Sequence, residues 1–347
     1  MRAKAPAPPL RLAIDYTALS DNWRALDNLS GKARAGAAVK ANGYGLGARG
    51  VTRALFNAGC RDFFVAYTQE AAEISDLVPP QTLSVLHGPQ NGGDAQYMQA
   101  SGFRPVINSL AQAAIWLETG GGECDLMVDT GINRLGMAMA DLGHPMVQQL
   151  QVATLLSHLA CADEDSALNA EQHKRWAEAR QQVPARDTSL ANSAGIMLGP
   201  DYHGSLTRPG LSLYGGIPRS ELAQHIRPVV RPQAVIMQVR HISAGESIGY
   251  NATFTAQSAM RLGVVAIGYA DGYLRAWSGK GTMHCGDYTL SVLGRVSMDM
   301  TVVDLTQAPQ VGEGDWLDLS YDLPSAAETS GLSQYELLTL LGRRFTR

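Results

Sequence analysis

The chain is 347 residues long, with 45% apolar residues, 17% charged residues, 36 glycines and a formal net charge of −4. That length suits two domains better than one core, and the composition excludes a disordered or collagen-like chain. With Lys plus Arg at 28 against Asp plus Glu at 32, there is no basic surplus to neutralise phosphates, which argues against a nucleic-acid partner.

The opening, MRAKAPAPPLRLAIDY, is rich in Pro and Ala over its first nine residues and lacks the apolar run of a signal peptide. No segment approaches the roughly 18 apolar residues of a membrane helix, so no membrane partner is expected. Strand-like runs follow at 35–39, 62–66, 83–86, 104–107, 124–128, 154–158, 188–191 and 204–207. Helical stretches at 53–59, 110–118 and 167–181 lie between them. Eight such alternations predict a parallel (β/α)8 barrel of TIM type over residues 1–226. A doubly wound sheet of fewer strands is the alternative.

After Tyr214 the pattern changes. Arg227-Pro228 and Arg231-Pro232 read as breaks, and extended runs follow at 234–242, 262–267, 289–293, 300–305 and 316–319. One helix is expected there, opened by Ser333 with Glu336 three residues on. Residues 227–347 therefore read as a mostly β domain, giving an α/β chain overall. Cys60, Cys124, Cys161 and Cys285 form no CxxC pair. They match neither a zinc site nor a disulfide framework and point to a reducing, cytoplasmic setting without a bound metal.

Chemistry-bearing residues collect where barrel strands end, the rim on which such barrels build active sites. Lys40 ends the first strand in AAVKANGYGLG. It is either a lysine snorkelling to solvent or a desolvated amine able to form a Schiff base with an aldehyde cofactor. Arg134 follows the fifth strand, His158 ends the sixth, Ser193 follows the seventh, and Arg208-Pro209-Gly210-Leu211 follows the eighth. Ser193 with the Gly210 and Leu211 amides forms a natural phosphate cup after strands seven and eight. Each residue alone has a bland reading: a core histidine, a surface ion pair, a helix cap. Five segments on one rim are harder to dismiss.

The segments AVKANGYGLGA, VDTGINRLGM, SHLACADE, LANSAG, TRPGLSLYGG, IGYNATF, AIGYADGY and LGRVSMDM, in that order, resemble the alanine racemase family from about Leu12 to Gly342. The resemblance implies a pyridoxal 5'-phosphate-binding barrel followed by a β-rich domain that contributes to the partner's active site in a homodimer. It implies an isomerase that interconverts L- and D-alanine and supplies D-alanine for peptidoglycan. Lys40 would hold the cofactor and serve as one base, with Tyr250 of the partner subunit as the other. Tyr44, Ser193, Gly210 and Leu211 would bind the phosphate. Arg208 would face the pyridine nitrogen, and His158 would link it towards Tyr250. Arg134 and the Met298 amide would hold the substrate carboxylate, with Tyr269 at the entrance.

Three positions depart from the family pattern. Met127 stands where many members carry a carbamylated lysine, and the expectation is that an anion such as chloride takes over its role beside Arg134. Arg343 aligns with a phosphate-binding tyrosine, and Leu46 replaces a histidine. Rival readings are a racemase of larger amino acids (serine, lysine, arginine), a non-catalytic cofactor carrier and a metal-assisted aldolase. The β domain with Tyr250 speaks against the carrier, and the lack of a metal-ligand cluster against the aldolase.

Overall fold

A computed structural model describes residues 7–346 of the chain. Most of the Pro/Ala-rich opening and the outer limits expected at residues 1 and 347 lie outside the described residues. The described residues form two compact units: one spans Tyr16–Arg227, the other joins those before Tyr16 to those from Pro228 onward. The expected domain limits therefore need correction at the amino-terminal side. Strand β1 (Leu10–Ile14) pairs antiparallel with the β-rich unit, Leu12 opposite Pro232. Its alternating buried Leu10 and Leu12 need a sheet to cover them, and that unit provides one.

In the Tyr16–Arg227 unit the strands are β2 (Arg34–Ala35), β3 (Ala37–Ala38), β4 (Phe63–Val65), β5 (Leu83–Val85), β6 (Arg104–Ile107), β7 (Glu123–Asp129), β8 (Met137–Ala138), β9 (Gln151–Leu156), β10 (Asp187–Ser189) and β11 (Leu206–Thr207). They run parallel in the order β3-β4-β5-β6-β7-β9-β10, with β11 beside β2 and β8 a short extra pairing on β7. The barrel closes through Ser205 N to Thr188 O (2.9 Å), Arg208 N to Ala191 O (2.8 Å), Gly36 N to Thr207 O (2.9 Å) and Ala38 N to Pro209 O (2.9 Å). Phe64, Val106, Met127, Leu156 and Leu206, from five of these strands, form a buried apolar cluster. Burying each such side chain stabilises the fold by roughly 1.5–3 kcal/mol.

The helices follow from their sequences. Tyr16–Leu29 buries Leu19, Trp23 and Leu26 on a stripe of helical period. Ser109 caps Leu110–Glu118 by accepting the Gln112 amide at 3.2 Å, and Ser166 caps Ala167–Gln182.

Where the barrel strands begin, charges are matched. The Arg34 guanidinium reaches Asp62 and Asp187, each at 2.8 Å, and Ser205 donates to Asp187 at 2.8 Å. Buried Arg104 lies 3.7 Å from both Asp62 and fully buried Asp125, and Ser84 donates to Asp125 at 2.6 Å.

The other unit holds β12 (Val230–Ile242), β13 (Ser247–Ile248), β14 (Phe254–Thr255), β15 (Met260–Val265), β16 (Thr282–Cys285), β17 (Tyr288–Leu293), β18 (Thr301–Asp304) and β19 (Trp316–Leu319). Its main sheet runs β1-β12-β15-β18-β17-β16-β19, and β12 also pairs with β19. Pro232 does not break the chain as expected but lies inside β12. The β12–β19 ladder starts only at Gln233, so the amide that proline lacks is not needed there. Ser333 caps Gln334–Thr339 as expected, and a second helix, Leu323–Ser330, opens on Asp322. Among the described residues no helix is long and apolar enough to cross a membrane.

Candidate active site

Lys40 follows β3, half-buried, and the next four residues all adopt left-handed backbone: Ala41 (φ 53°), Asn42 (55°), Gly43 (61°) and Tyr44 (51°). Three of them are not glycine, and each such residue costs about 1–2 kcal/mol. Local bonds offset this. Gly43 N donates to Val39 O at 2.9 Å, Gly45 N to Ala41 O at 2.9 Å, and the Asn42 side chain accepts the Ala48 amide at 2.9 Å. The Glu70 carboxylate accepts the Ala41 amide at 2.7 Å. Burial, followed by the charge of Arg134, pulls the Lys40 amine below its usual value, with Glu70 opposing and Arg208 adding to the pull. The amine is thereby more readily the neutral nucleophile that carbonyl chemistry needs.

Arg208, buried after β11, donates to the Ser189 carbonyl at 2.8 Å, to the Ser189 hydroxyl, and to the Ser157 carbonyl. Burial lowers it to about 10, so it is a cation at neutral pH. His158 follows Ser157. Burial first, then the charges of Arg208, Arg134 and Lys40, pushes its imidazole down to about 3, which makes it neutral at working pH. Gln172, in the helix Ala167–Gln182, ties this corner together. Its amide nitrogen donates to the His158 carbonyl at 3.0 Å and to Thr130 Oγ1 at 3.2 Å, and its oxygen accepts the Ala160 amide at 2.8 Å.

Arg134 is exposed in the loop after β7, with no hydrogen-bond or ion-pair partner among the described residues. The loop is shaped by Asp129, whose Oδ1 accepts the amides of Gly131 (2.8 Å), Ile132 (3.0 Å) and Asn133 (3.2 Å). Met127 packs into the apolar barrel cluster, with Leu86 against it. The loop that carries Arg134 is ordered by Asp129. Leu46 is likewise fully buried.

The phosphate cup has a definite form. Ser193 Oγ accepts the Gly210 amide at 3.0 Å and the Ser212 amide at 3.2 Å. Tyr44 stacks on Tyr214 with ring centroids 4.6 Å apart, and Tyr214 donates to the Ala38 carbonyl at 2.8 Å. A Cβ at position 210 would lie 2.3 Å from the Tyr44 hydroxyl, so only glycine fits between the tyrosine and the turn Leu211–Tyr214. Ser212 Oγ is fully buried and has no hydrogen-bond partner among the described residues. A buried hydroxyl left without a partner costs about 1–3 kcal/mol. Its position beside Ser193 and Gly210 fits a bound phosphate, whose oxygens would satisfy it. The residues present thus suit an anionic aldehyde cofactor: an amine of lowered pKa and a cup of hydroxyls and amides on one rim.

Tyr250, Tyr269 and Met298 belong to the other unit. Tyr250 is 64% exposed and opens a turn in which Asn251 (φ 62°) and Ala252 (φ 47°) are left-handed. Tyr269 N donates to Ser297 O at 3.0 Å and Ala270 N to Met298 O at 3.0 Å, so the two expected substrate segments lie side by side. A Cβ on Gly268 would lie 2.3 Å from Ser297 O, which is why a glycine stands there. Arg275 sits 5.3 Å over the Tyr269 ring. Met298 is exposed, and Arg343 lines an apolar cavity with Pro8, Leu10, Met237, Ala266 and Met300.

The sequence expectation therefore brings Lys40, Tyr44, Arg134, His158, Ser193, Arg208, Gly210 and Leu211 to one barrel rim. It missed Glu70, Gln172, Ser212 and Asp129. Ser212 lay within the TRPGLSLYGG segment and Asp129 within VDTGINRLGM. Glu70 and Gln172 sit on helices, where nothing in the sequence marks them as anything but surface and core.

Residues 14–218 match the family model for the alanine racemase N-terminal domain, and residues 229–347 match that for the C-terminal domain. The chain belongs to the alanine racemase family. It is 39% identical to a biosynthetic alanine racemase of Agrobacterium fabrum, over 98% of this chain and 93% of that protein. A catabolic alanine racemase of the same organism is 38% identical, over 97% of this chain and 91% of that protein. Among solved structures, alanine racemase from Bartonella henselae with covalently bound pyridoxal phosphate superposes with a TM-score of 0.91 at 32% identity, over 99% of both chains. Biosynthetic alanine racemase from Pseudomonas aeruginosa gives 0.88 at 33% identity, over 98% of this chain and 99% of that one. These likenesses support the (β/α)8 barrel with its β-rich companion over the doubly wound alternative.

Proposed function

We propose that this protein is a pyridoxal-phosphate-dependent racemase interconverting L- and D-alanine, working as a cytoplasmic homodimer that supplies D-alanine for peptidoglycan. The observation that carries the reading is the pairing, on one barrel rim of an alanine racemase family chain, of a Lys40 amine with lowered pKa and a cup whose Ser212 hydroxyl lacks a partner. Lys40 would hold the cofactor. Tyr44, Ser193, Ser212 and the Gly210 and Leu211 amides would hold its phosphate.

When bound, the cofactor delocalises the electron pair left as the substrate Cα loses its proton. Lys40 Nζ takes or returns that proton on one face, and Tyr250 Oη of the partner subunit serves the other. Inversion follows because removal and return use opposite faces. Arg134 and the Met298 amide orient the substrate carboxylate, and Tyr269 limits the size of its side chain. Arg208, a buried cation, discourages a second positive charge on a basic nitrogen brought against it, which favours proton exchange over transamination. His158, neutral, would link this polar chain towards Tyr250 of the partner subunit with a single N–H to donate.

The deciding experiment is borohydride reduction followed by peptide mapping, together with a D-alanine assay started from L-alanine. A pyridoxyl adduct on the Lys40 peptide and D-alanine formation are expected. An adduct elsewhere, or turnover of serine, lysine or arginine without alanine, would overturn the reading. Tyr250→Phe is expected to retain the cofactor's visible absorbance while turnover falls about 10²–10⁴-fold, with solvent deuterium entering Cα unequally from the two enantiomers. A fully active variant removes the second base.

A further inference from the structure

The two shortest bonds of the Glu70 carboxylate leave its own helix. Oε1 accepts the Ala41 amide at 2.7 Å, directly after Lys40, and Oε2 accepts the Ala66 amide at 2.7 Å, just past the end of β4. Glu70 lies in the first turn of the helix Thr68–Ile74, where an acidic residue ordinarily caps by binding the amide of the residue that precedes the helix. That bond, from the Tyr67 amide, is 3.5 Å, longer than an ordinary N–H···O contact. Helix capping is therefore the weaker of its roles. The stronger is a clamp between the ends of two neighbouring barrel strands, with an ionised acceptor at its centre.

The clamp falls where the backbone most needs one. Ala41 is the first of four successive left-handed residues, and it is exposed. The turn's internal bonds begin from Val39 and from Ala41's own carbonyl, so they leave the Ala41 amide to an outside acceptor. Without that acceptor the peptide joining Lys40 to Ala41 would be free to rotate, and the direction of the lysine side chain with it. We propose that Glu70 is a positioning residue for Lys40: its carboxylate, anchored on the Ala66 amide, fixes the Ala41 amide and so holds the lysine in its aim across the barrel rim. The role rests on the reading of Lys40 as the cofactor lysine.

Glu70 also acts on the amine by charge. Arg134 and Arg208 face Lys40 as cations and Glu70 as a carboxylate, while the imidazoles of His87 and His158 feel the lysine's charge. Two effects of removing Glu70 thus separate, one on geometry and one on titration.

The test uses full-length apoprotein. Pulse acetylation of Lys40 across pH, read by mass spectrometry, is expected to show a midpoint lower by about half a pH unit or more in Glu70→Gln, because a neighbouring negative charge is gone. The dissociation constant for pyridoxal phosphate is expected to rise about tenfold. Glu70→Asp, which keeps the charge but falls short of Ala41, is expected to restore the midpoint while leaving cofactor binding weak. A folded Glu70→Gln protein with wild-type midpoint and wild-type cofactor affinity would overturn the proposal. If Glu70→Gln does not fold, hydrogen exchange in the wild-type apoprotein decides. Protection of the Ala41 amide comparable to that of Ala66 is expected, and free exchange at Ala41 refutes the clamp. A borohydride adduct on a peptide other than that of Lys40 would refute the cofactor assignment alone, since acetylation and exchange report the clamp independently.

Discussion

The two ends of the barrel solve opposite electrostatic problems with similar residues. Where the strands begin, Arg34 and Arg104 stand against Asp62, Asp125 and Asp187, and each cation has a carboxylate within 4 Å. Where they end, Lys40, Arg134 and Arg208 face one another, with Glu70 as the opposing carboxylate acting on the lysine. Matched charges lock strand positions but have no capacity left for a ligand. Burial, with the repulsion of unmatched cations added to it, lowers the lysine and histidine pKa values and leaves a deficit that an anionic ligand fills. A paired arginine and an active-site arginine differ in their surroundings and not in kind.

The largest expected effect falls at the unmatched end. Lys40→Ala should abolish both racemisation, by at least about 10³-fold, and the cofactor's visible absorbance, measured by the D-alanine assay and a spectrum of the purified protein. Retention of both would move the cofactor to another lysine. At the matched end, Arg104→Ala should cost about 3–5 kcal/mol in denaturant unfolding, because Asp125 is left buried without its counter-ion. Adding Asp125→Asn should recover part of that loss, and full additivity of the two changes would contradict the pairing.

Titration separates the two ends further. The Arg34 guanidinium holds the Asp187 carboxyl down to about 2, below its usual 3.8. A depressed folded pKa contributes stability that is complete above the unfolded value and fades as pH falls through the folded one. Stability should therefore decline between about pH 4 and pH 2, and Asp187→Asn should flatten that decline by ~1 kcal/mol, discounted for the solvent exposure of Arg34. An unchanged acid limb in the variant would remove Asp187 from the account. The smallest effect is expected at the cup. Ser212→Ala should weaken pyridoxal phosphate binding severalfold while leaving apoprotein melting unchanged or slightly higher, since an unsatisfied hydroxyl is removed. A lower melting temperature with unchanged cofactor affinity would make Ser212 a packing residue only.

Much of this was legible in the chain. The eight barrel strands were readable because short apolar runs recur between helices, and the rim residues were readable because they follow those runs directly. Strand β1 was not. LRLAI has the alternation of a strand, but its partner lies more than two hundred residues away, and no local signal names it. Pro232 misled for a related reason: proline breaks a strand only where its missing amide would be bonded, and that depends on where β19 joins β12. Glu70 was invisible because its meaning lies in the Ala41 amide, twenty-nine residues earlier.

By itself the sequence determined the alternation of strand and helix, the order of the rim segments and the family to which they belong, since these follow from local periodicity and from residue types at fixed spacing. Only the tertiary structure decided which charges are neutralised, that the Ser212 hydroxyl is among those left without a partner in the described residues, and which carboxylate restrains the backbone after Lys40. Hydrogen bonds and burial depend on distances of a few ångströms between residues far apart in the chain, and no reading along the chain measures those.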